Sequence, residues 1–107
     1  MYLPNIYQKF AEKYPAVFKN YNQLGTTCRE AGSLDTKVQN LVKLGIAMGC
    51  NSRGGVMSHA RKALAAGVTP EEIFHAVLLS LTTIGFPNMM AAMSWVNEVV
   101  EEQLKNN

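Results

Sequence analysis

The sequence predicts an all-α protein of about six helices. Three observations carry that prediction. Apolar residues recur at helical spacing along most of the chain, and strand signals are almost absent, with few β-branched alternations and no Asn-Gly or Asp-Gly hairpin turn. Helix punctuation stands at nearly every expected boundary, and is clearest at Thr69-Pro70-Glu71-Glu72. A chain of 107 residues, 48% apolar and 17% charged, is globular in composition, and its length suits one domain over residues 1–107.

The first segment opens at Pro4 and Asn5 and ends near Lys13; Pro15, suited to a first helical turn, starts a second that runs to about Glu30. Ala31-Gly32-Ser33 ends it. Leu34-Asp35-Thr36 offers cap oxygens for a third helix through Met48, with Val38, Leu41, Val42, Gly45, Ile46 and Ala47 as its apolar positions. Gly49 breaks that helix and Asn51-Ser52 forms a polar turn. A fourth helix spans Arg53 to Ala66, with Gly67 in the position favoured for a left-handed C-cap.

Thr69, Pro70 and Glu72 form a capping-box signature for the fifth helix. Its body, Ile73 to Ile84, is apolar almost all round, which predicts burial on more than one side and points to a subunit interface. Gly85-Phe86-Pro87 stops it, and the last helix runs from about Asn88 to Leu104.

The formal charge of +2 comes from ten basic residues scattered among eight carboxylates, without the basic stripe that nucleic-acid binding requires. No apolar run approaches the roughly 18 residues that span a bilayer, and Met1-Tyr2-Leu3-Pro4-Asn5 lacks a basic region leading into an apolar one. The expectation is a cytoplasmic protein without nucleic-acid or membrane partners. Cys28 and Cys50 stand well apart and form no CxxC pair, so both read first as small, buried, apolar side chains in a reducing compartment.

Few residues carry chemistry. His59, with an ordinary pKa near 6.5, suits general acid–base work, or else bonds a neighbouring carbonyl as a structural residue. Arg53 and the Gly54-Gly55 turn could bind an anion at a helix start; the plain alternatives are a solvated arginine and a loose first turn. Ser58 and His59 point about 100° apart on a helix and cannot pair as nucleophile and base. His75 reads as a surface residue. Two isolated histidines give no metal site, and no motif calls for a cofactor. Phe86, Met89, Met90, Met93 and Trp95 read as packing before pocket lining, and so do Tyr14, Phe18 and Tyr21 on one helix face.

His59, Ala63, Gly67, Thr69, Glu71, Glu72 and Ile73 keep the spacing His-x-x-x-Ala-x-x-x-Gly-x-Thr-x-Glu-Glu-Ile, after a helix beginning Leu34-Asp35-Thr36-Lys37. This stretch resembles the carboxymuconolactone decarboxylase and alkylhydroperoxidase D-like family. The resemblance implies a helical domain that assembles as a homo-oligomer, trimer or hexamer, with small-molecule sites near helix junctions.

In the peroxidase branch, a Cys-x-x-Cys pair precedes the histidine and a glutamate lies on the preceding helix. Counting back from His59 puts Ser52 and Gly55 at the cysteine positions and about Asn40 at the glutamate. A dithiol peroxidase is therefore not expected. Cys50 lies two residues from the first cysteine position, which leaves only single-cysteine, peroxiredoxin-type chemistry. In the decarboxylase branch an arginine and a glutamate precede the histidine; Arg53 lies one residue from the first position, and Gly55 replaces the second. The resemblance thus implies a site around His59 that performs proton transfer or decarboxylation on a small carboxylic acid, with Arg53, Gly54 and Gly55 as anion contacts and Cys50, Ser52 and Asn40 nearby. The alternative is a non-catalytic oligomer that retains the fold.

Overall fold

The computed structural model describes residues 4–106, so the Met1-Tyr2-Leu3 opening lies outside it. All regular structure among these residues is helical: α1 (Asn5–Lys13), α2 (Pro15–Glu30), α3 (Thr36–Gly49), α4 (Arg53–Ala65), α5 (Pro70–Leu79), α6 (Leu81–Ile84) and α7 (Phe86–Lys105). The chain divides into two compact units, residues 1–33 and 34–107.

The first unit is a helical hairpin. Tyr14, kept out of the helical region because a proline follows it, joins α1 to α2, and Pro15 opens α2 where its missing N–H costs nothing. Phe18 meets Tyr7 edge-on at 5.4 Å between ring centres and Phe10 at 6.4 Å. The expected Tyr14–Phe18–Tyr21 face is therefore only partly a packing surface: Phe18 carries it, Tyr14 serves as the joint, and Tyr21 is exposed.

The second unit holds the core, built by α3, α4, α5 and α7 around Leu44, Val56, Ala60, Ile73, Val77, Met89, Val96 and Val99. Local chemistry explains its boundaries. The Asp35 side chain accepts the Val38 N–H at 2.9 Å, and the Ser52 hydroxyl accepts the Gly55 N–H at 3.0 Å. Thr69 and Glu72 form both halves of the capping box, at 3.1 and 2.9 Å.

α3 and α4 end in the same way. Ser52 N–H bonds to Ala47 O and Asn51 N–H to Met48 O; Val68 N–H bonds to Ala63 O and Gly67 N–H to Leu64 O. Each pair is a Schellman closure whose pivot residue takes positive φ, 52° at Asn51 and 94° at Gly67. Asn51 rather than Gly49 thus terminates the third helix, because asparagine tolerates the left-handed region.

Three expectations change. The apolar positions of α3 do not all face inward: Leu44, Ala47 and Met48 are buried, whereas Val38, Val42 and Ile46 form an exposed stripe four residues apart. The helix expected over Ile73–Ile84 breaks at Ser80, whose N–H bonds three residues back to Val77 O and whose hydroxyl bonds to the same carbonyl at 2.6 Å. α7 begins at Phe86, not Asn88, directly after Gly85 at φ 90°, and Pro87 is accommodated in its first turn. On α5, Ile73 and Val77 are buried, while Leu78 and Leu79 are exposed. No described helix is long and apolar enough to cross a membrane.

Candidate functional site between α3 and α4

α3 and α4 form the most extensive helix pair in the molecule, joined by the tight turn at Cys50-Asn51-Ser52. The close approach near the turn sets their antiparallel register, and a side-chain contact at the far end agrees with it. Near the turn, a Cβ on Gly55 would stand 3.2 Å from the Ala47 Cβ; at the far end, a Cβ on Gly67 would stand 3.3 Å from the Lys37 Cε. Helical rise fills in the rungs between. Lys43 lies four residues back from Ala47 and His59 four residues on from Gly55, so both sit about 6 Å along from the first approach. Asn40 and Lys62 sit opposite each other about 4.5 Å further on. Gly55, His59 and Lys62 follow one stripe of α4, and Asn40, Lys43 and Ala47 one stripe of α3.

His59 is half-buried, and its Nδ1 is buried without a hydrogen-bond partner. The expected alternative of a structural histidine bonded to a carbonyl therefore has no counterpart at Nδ1. Burial holds the imidazole pKa below its usual 6.5, and the positive charges of Lys62 and Lys43 lower it further. The ring thus favours its neutral form, with Nδ1 enclosed and unpartnered.

The two arginines of α4 are engaged elsewhere, by α7. Arg53 pairs with Glu98 at 3.1 Å and Arg61 with Glu102 at 3.8 Å. Arg53 is also six residues from His59, hence about 120° around the helix and about 9 Å along it. The sequence placed Arg53 at the site; its side chain is exposed and paired with a carboxylate.

The remaining expected site residues divide. Ser52 and Gly55 satisfy each other through the N-cap bond, and the space a Gly55 side chain would occupy is taken by Ala47 and Ser52. Gly54 is exposed and faces open space. Asn40 is half-buried on the facing stripe of α3, and its amide donates to Thr36 O at 2.9 Å. Cys50 is exposed beyond the opposite end of the Gly55–Ala47 approach, about 10 Å along the helix pair from His59, so the imidazole does not serve its thiol. Cys28 is exposed too, against the expectation that both cysteines are buried. His75 is exposed, as expected.

Lys43 and Lys62 escaped sequence reasoning. The available signal was the i, i+3 spacing of His59 and Lys62, but Lys43 required the hairpin register. No group of three or more potential metal ligands occurs among the described residues. A cleft of about 250 Å³ lies elsewhere, lined by Leu64, Val68, Pro70, Val100, Gln103 and Leu104. The Phe86, Met89, Met90, Met93 and Trp95 group does not line it: Met89 is in the core, Met93 and Trp95 pack on it, and Phe86 and Met90 are exposed.

Comparison with known proteins agrees with this architecture. A crystal structure from Burkholderia xenovorans, of a protein provisionally described as a carboxymuconolactone decarboxylase, superposes with a TM-score of 0.71 at 23% identity, covering 98% of this chain and 85% of the other. At that identity the likeness is one of fold. No curated protein matches the sequence. The sequence pattern of the carboxymuconolactone decarboxylase family matches residues 15–98, most of the chain and the whole of the α3–α4 pair, and the protein belongs to that family.

Proposed function

We propose that the protein is a small-molecule enzyme of the carboxymuconolactone decarboxylase family in which His59 transfers a proton on a small carboxylic acid, in an isomerisation or decarboxylation. The observation that carries this reading is the unpartnered, buried Nδ1 on an imidazole kept neutral by burial and two neighbouring cations. A neutral imidazole accepts a proton from a carbon next to a carbonyl, and the electron pair left behind passes to the carbonyl oxygen as an enolate. Nearby ammonium groups favour that negative charge, and the reverse transfer from imidazolium returns the proton to carbon.

The test is solvent deuterium exchange at the α-carbons of a panel of small lactone and keto acids, followed by proton NMR for wild type and His59→Asn. Exchange in wild type that is lost in the variant, with an unchanged helical CD spectrum, is the expected result. Equal exchange in both proteins would overturn the reading.

A second reading is a non-catalytic homo-oligomer, trimer or hexamer, that keeps the fold. It is favoured by the commitment of Ser52 and Gly55, which stand at family reactive positions, to a helix cap and close packing. The exposed Val38, Val42 and Ile46 stripe offers apolar surface for a second copy. This reading predicts no exchange in wild type and a sedimentation mass that is a multiple of the chain.

A further inference from the structure

We propose that the α1–α2 hairpin is an assembly arm: its open apolar face packs against the same face of a second copy of the chain, and the two hairpins together form a four-helix bundle. The pairing does not depend on whether His59 is catalytic.

The local sequence builds that face. Tyr7 of α1 and Phe18 of α2 meet edge-on and mark the side on which each helix faces the other. Ile6 and Phe10 stand about 60–100° behind Tyr7 around α1, and Val17, Tyr21 and Leu24 stand about 60–120° behind Phe18 around α2. In an antiparallel pair those two rotations lead to the same side of the hairpin. The five residues are between 38% and 75% exposed, and neither helix contains a buried residue. On α2 their spacing of four and then three is that of a coiled-coil seam.

Such a hairpin is too small to hold itself. α1 has 9 residues and α2 has 16, and helices shorter than about 12–15 residues are marginal in water. Units below about 40 residues generally need a disulfide, a metal or association. Residues 1–33 contain one cysteine, hence no internal disulfide, and no group of three or more potential metal ligands occurs among the described residues. Association remains, and the area suffices for it. With large side chains offering on the order of 150–250 Å² each, the five leave roughly 500 Å² of apolar surface open per copy. A standard interface takes about 800 Å² from each partner, a little over half of it apolar.

Charge favours an identical partner. Lys19, Arg29 and Glu30, the charged residues of α2, lie on the other side of Phe18 from the seam. Lys13, at the edge of the α1 stripe, is drawn over the Tyr14 ring at 5.6 Å. An uncharged face offers no hold to an acidic or basic partner, and two copies of it meet without like-charge repulsion. Because the same patch serves both copies, the contact closes as a two-fold pair.

The experiment uses the full chain. Sedimentation equilibrium over about 1–100 µM gives the assembly, and hydrogen exchange read by mass spectrometry gives the protection of residues 5–30 and 34–106 separately. Wild type is expected to sediment as an even multiple of the chain, with residues 5–30 protected. Tyr21→Glu and Leu24→Glu each place a charge on the seam, and should weaken pairing by about tenfold or more and strip protection from residues 5–30. Residues 34–106 should stay protected in both, which verifies that the core is folded. Leu24→Met, and Ile46→Glu on the α3 stripe, should leave the hairpin protected and paired.

A single-chain mass at about 100 µM overturns the proposal, and so does an odd-numbered assembly. Protection of residues 5–30 that both glutamate variants retain overturns it as well, since the face would then not be what holds the hairpin. Association lost only in Ile46→Glu would transfer the interface to α3.

Discussion

Gly55 and Ala47 meet at the mouth of the α3–α4 pair so closely that a Cβ on Gly55 would lie 3.2 Å from the Ala47 Cβ and 2.9 Å from the Ser52 hydroxyl. That approach sets the register that brings Lys43 level with His59. A side chain at residue 55 would crowd Ala47 and disturb the Ser52 cap.

Gly55→Ala and Gly54→Ala should therefore shift stability in opposite directions. Alanine ordinarily gains roughly 0.5–1 kcal/mol over glycine in a helix. At residue 54, which faces open space, that gain should appear. At residue 55 the crowding and the disturbed cap, worth roughly 0.5–2 kcal/mol, should reverse it to a net loss of about 1 kcal/mol. Urea unfolding of the two variants reads both signs, and a stabilised Gly55→Ala would mean that the helices part easily.

The capping box at the start of α5 should be the strongest local determinant outside the core. Thr69→Ala removes the side-chain acceptor for the Glu72 N–H, and is expected to lower stability by about 1 kcal/mol. The Glu72 pKa is held below its usual value, first by the Thr69 backbone N–H it accepts, then by the Thr69 side chain and, more weakly, by the charge of Lys37. A depressed carboxylate adds stability above its unfolded pKa and loses it as pH falls through the folded pKa. Acid unfolding of Glu72→Gln should accordingly show a weaker pH dependence below about pH 4.5 than wild type.

His59 should leave a trace of the same sign nearer neutrality. Its folded pKa lies below its unfolded value of 6.5, so the unfolded chain binds the extra proton first. The associated stability is fully present above about pH 6.5 and declines as pH falls from there toward the folded pKa. Thermal melts from pH 8 to pH 5 should show that decline in wild type and a flatter profile in His59→Asn. Identical profiles would mean that burial and the lysines leave the imidazole unperturbed.

Cys50 is expected to be a bystander. Both cysteines are exposed, so a thiol reagent should titrate two thiols per folded chain without denaturant. Peroxide consumption with a dithiol reductant should not exceed the enzyme-free control in wild type, Cys50→Ser or His59→Ala. Turnover that disappears in both variants would restore the single-cysteine reading.

The fold was largely legible because its boundaries are set by short-range chemistry. Asp35, Thr69 with Glu72, Gly67 and Gly85 announce helix ends through side-chain oxygens or backbone freedom, and all of them act as such. The inward stripe of α3 was not legible, because Val38, Val42 and Ile46 are as apolar and as periodic as Leu44 and Met48. The break at Ser80 was hidden for a related reason: the apolar run continues through it, and only a local backbone bond marks the change. At the site, His59 could be found from its motif, but its neighbours could not. Lys43 is 16 residues away in sequence, and only the Gly55–Ala47 approach shows that the two share a rung. Arg53 looked suited to an anion in sequence because its partner, Glu98, lies on a distant helix.

The most direct test of the account is the titration of the His59 ring by NMR in the folded, ligand-free protein, with the signals assigned through His75→Asn. A midpoint below 6.5 is expected, with the neutral ring persisting into mildly acidic solution. A midpoint at or above 6.5 would contradict it, because the imidazole would then lack the burial and the facing lysines that make it a neutral base.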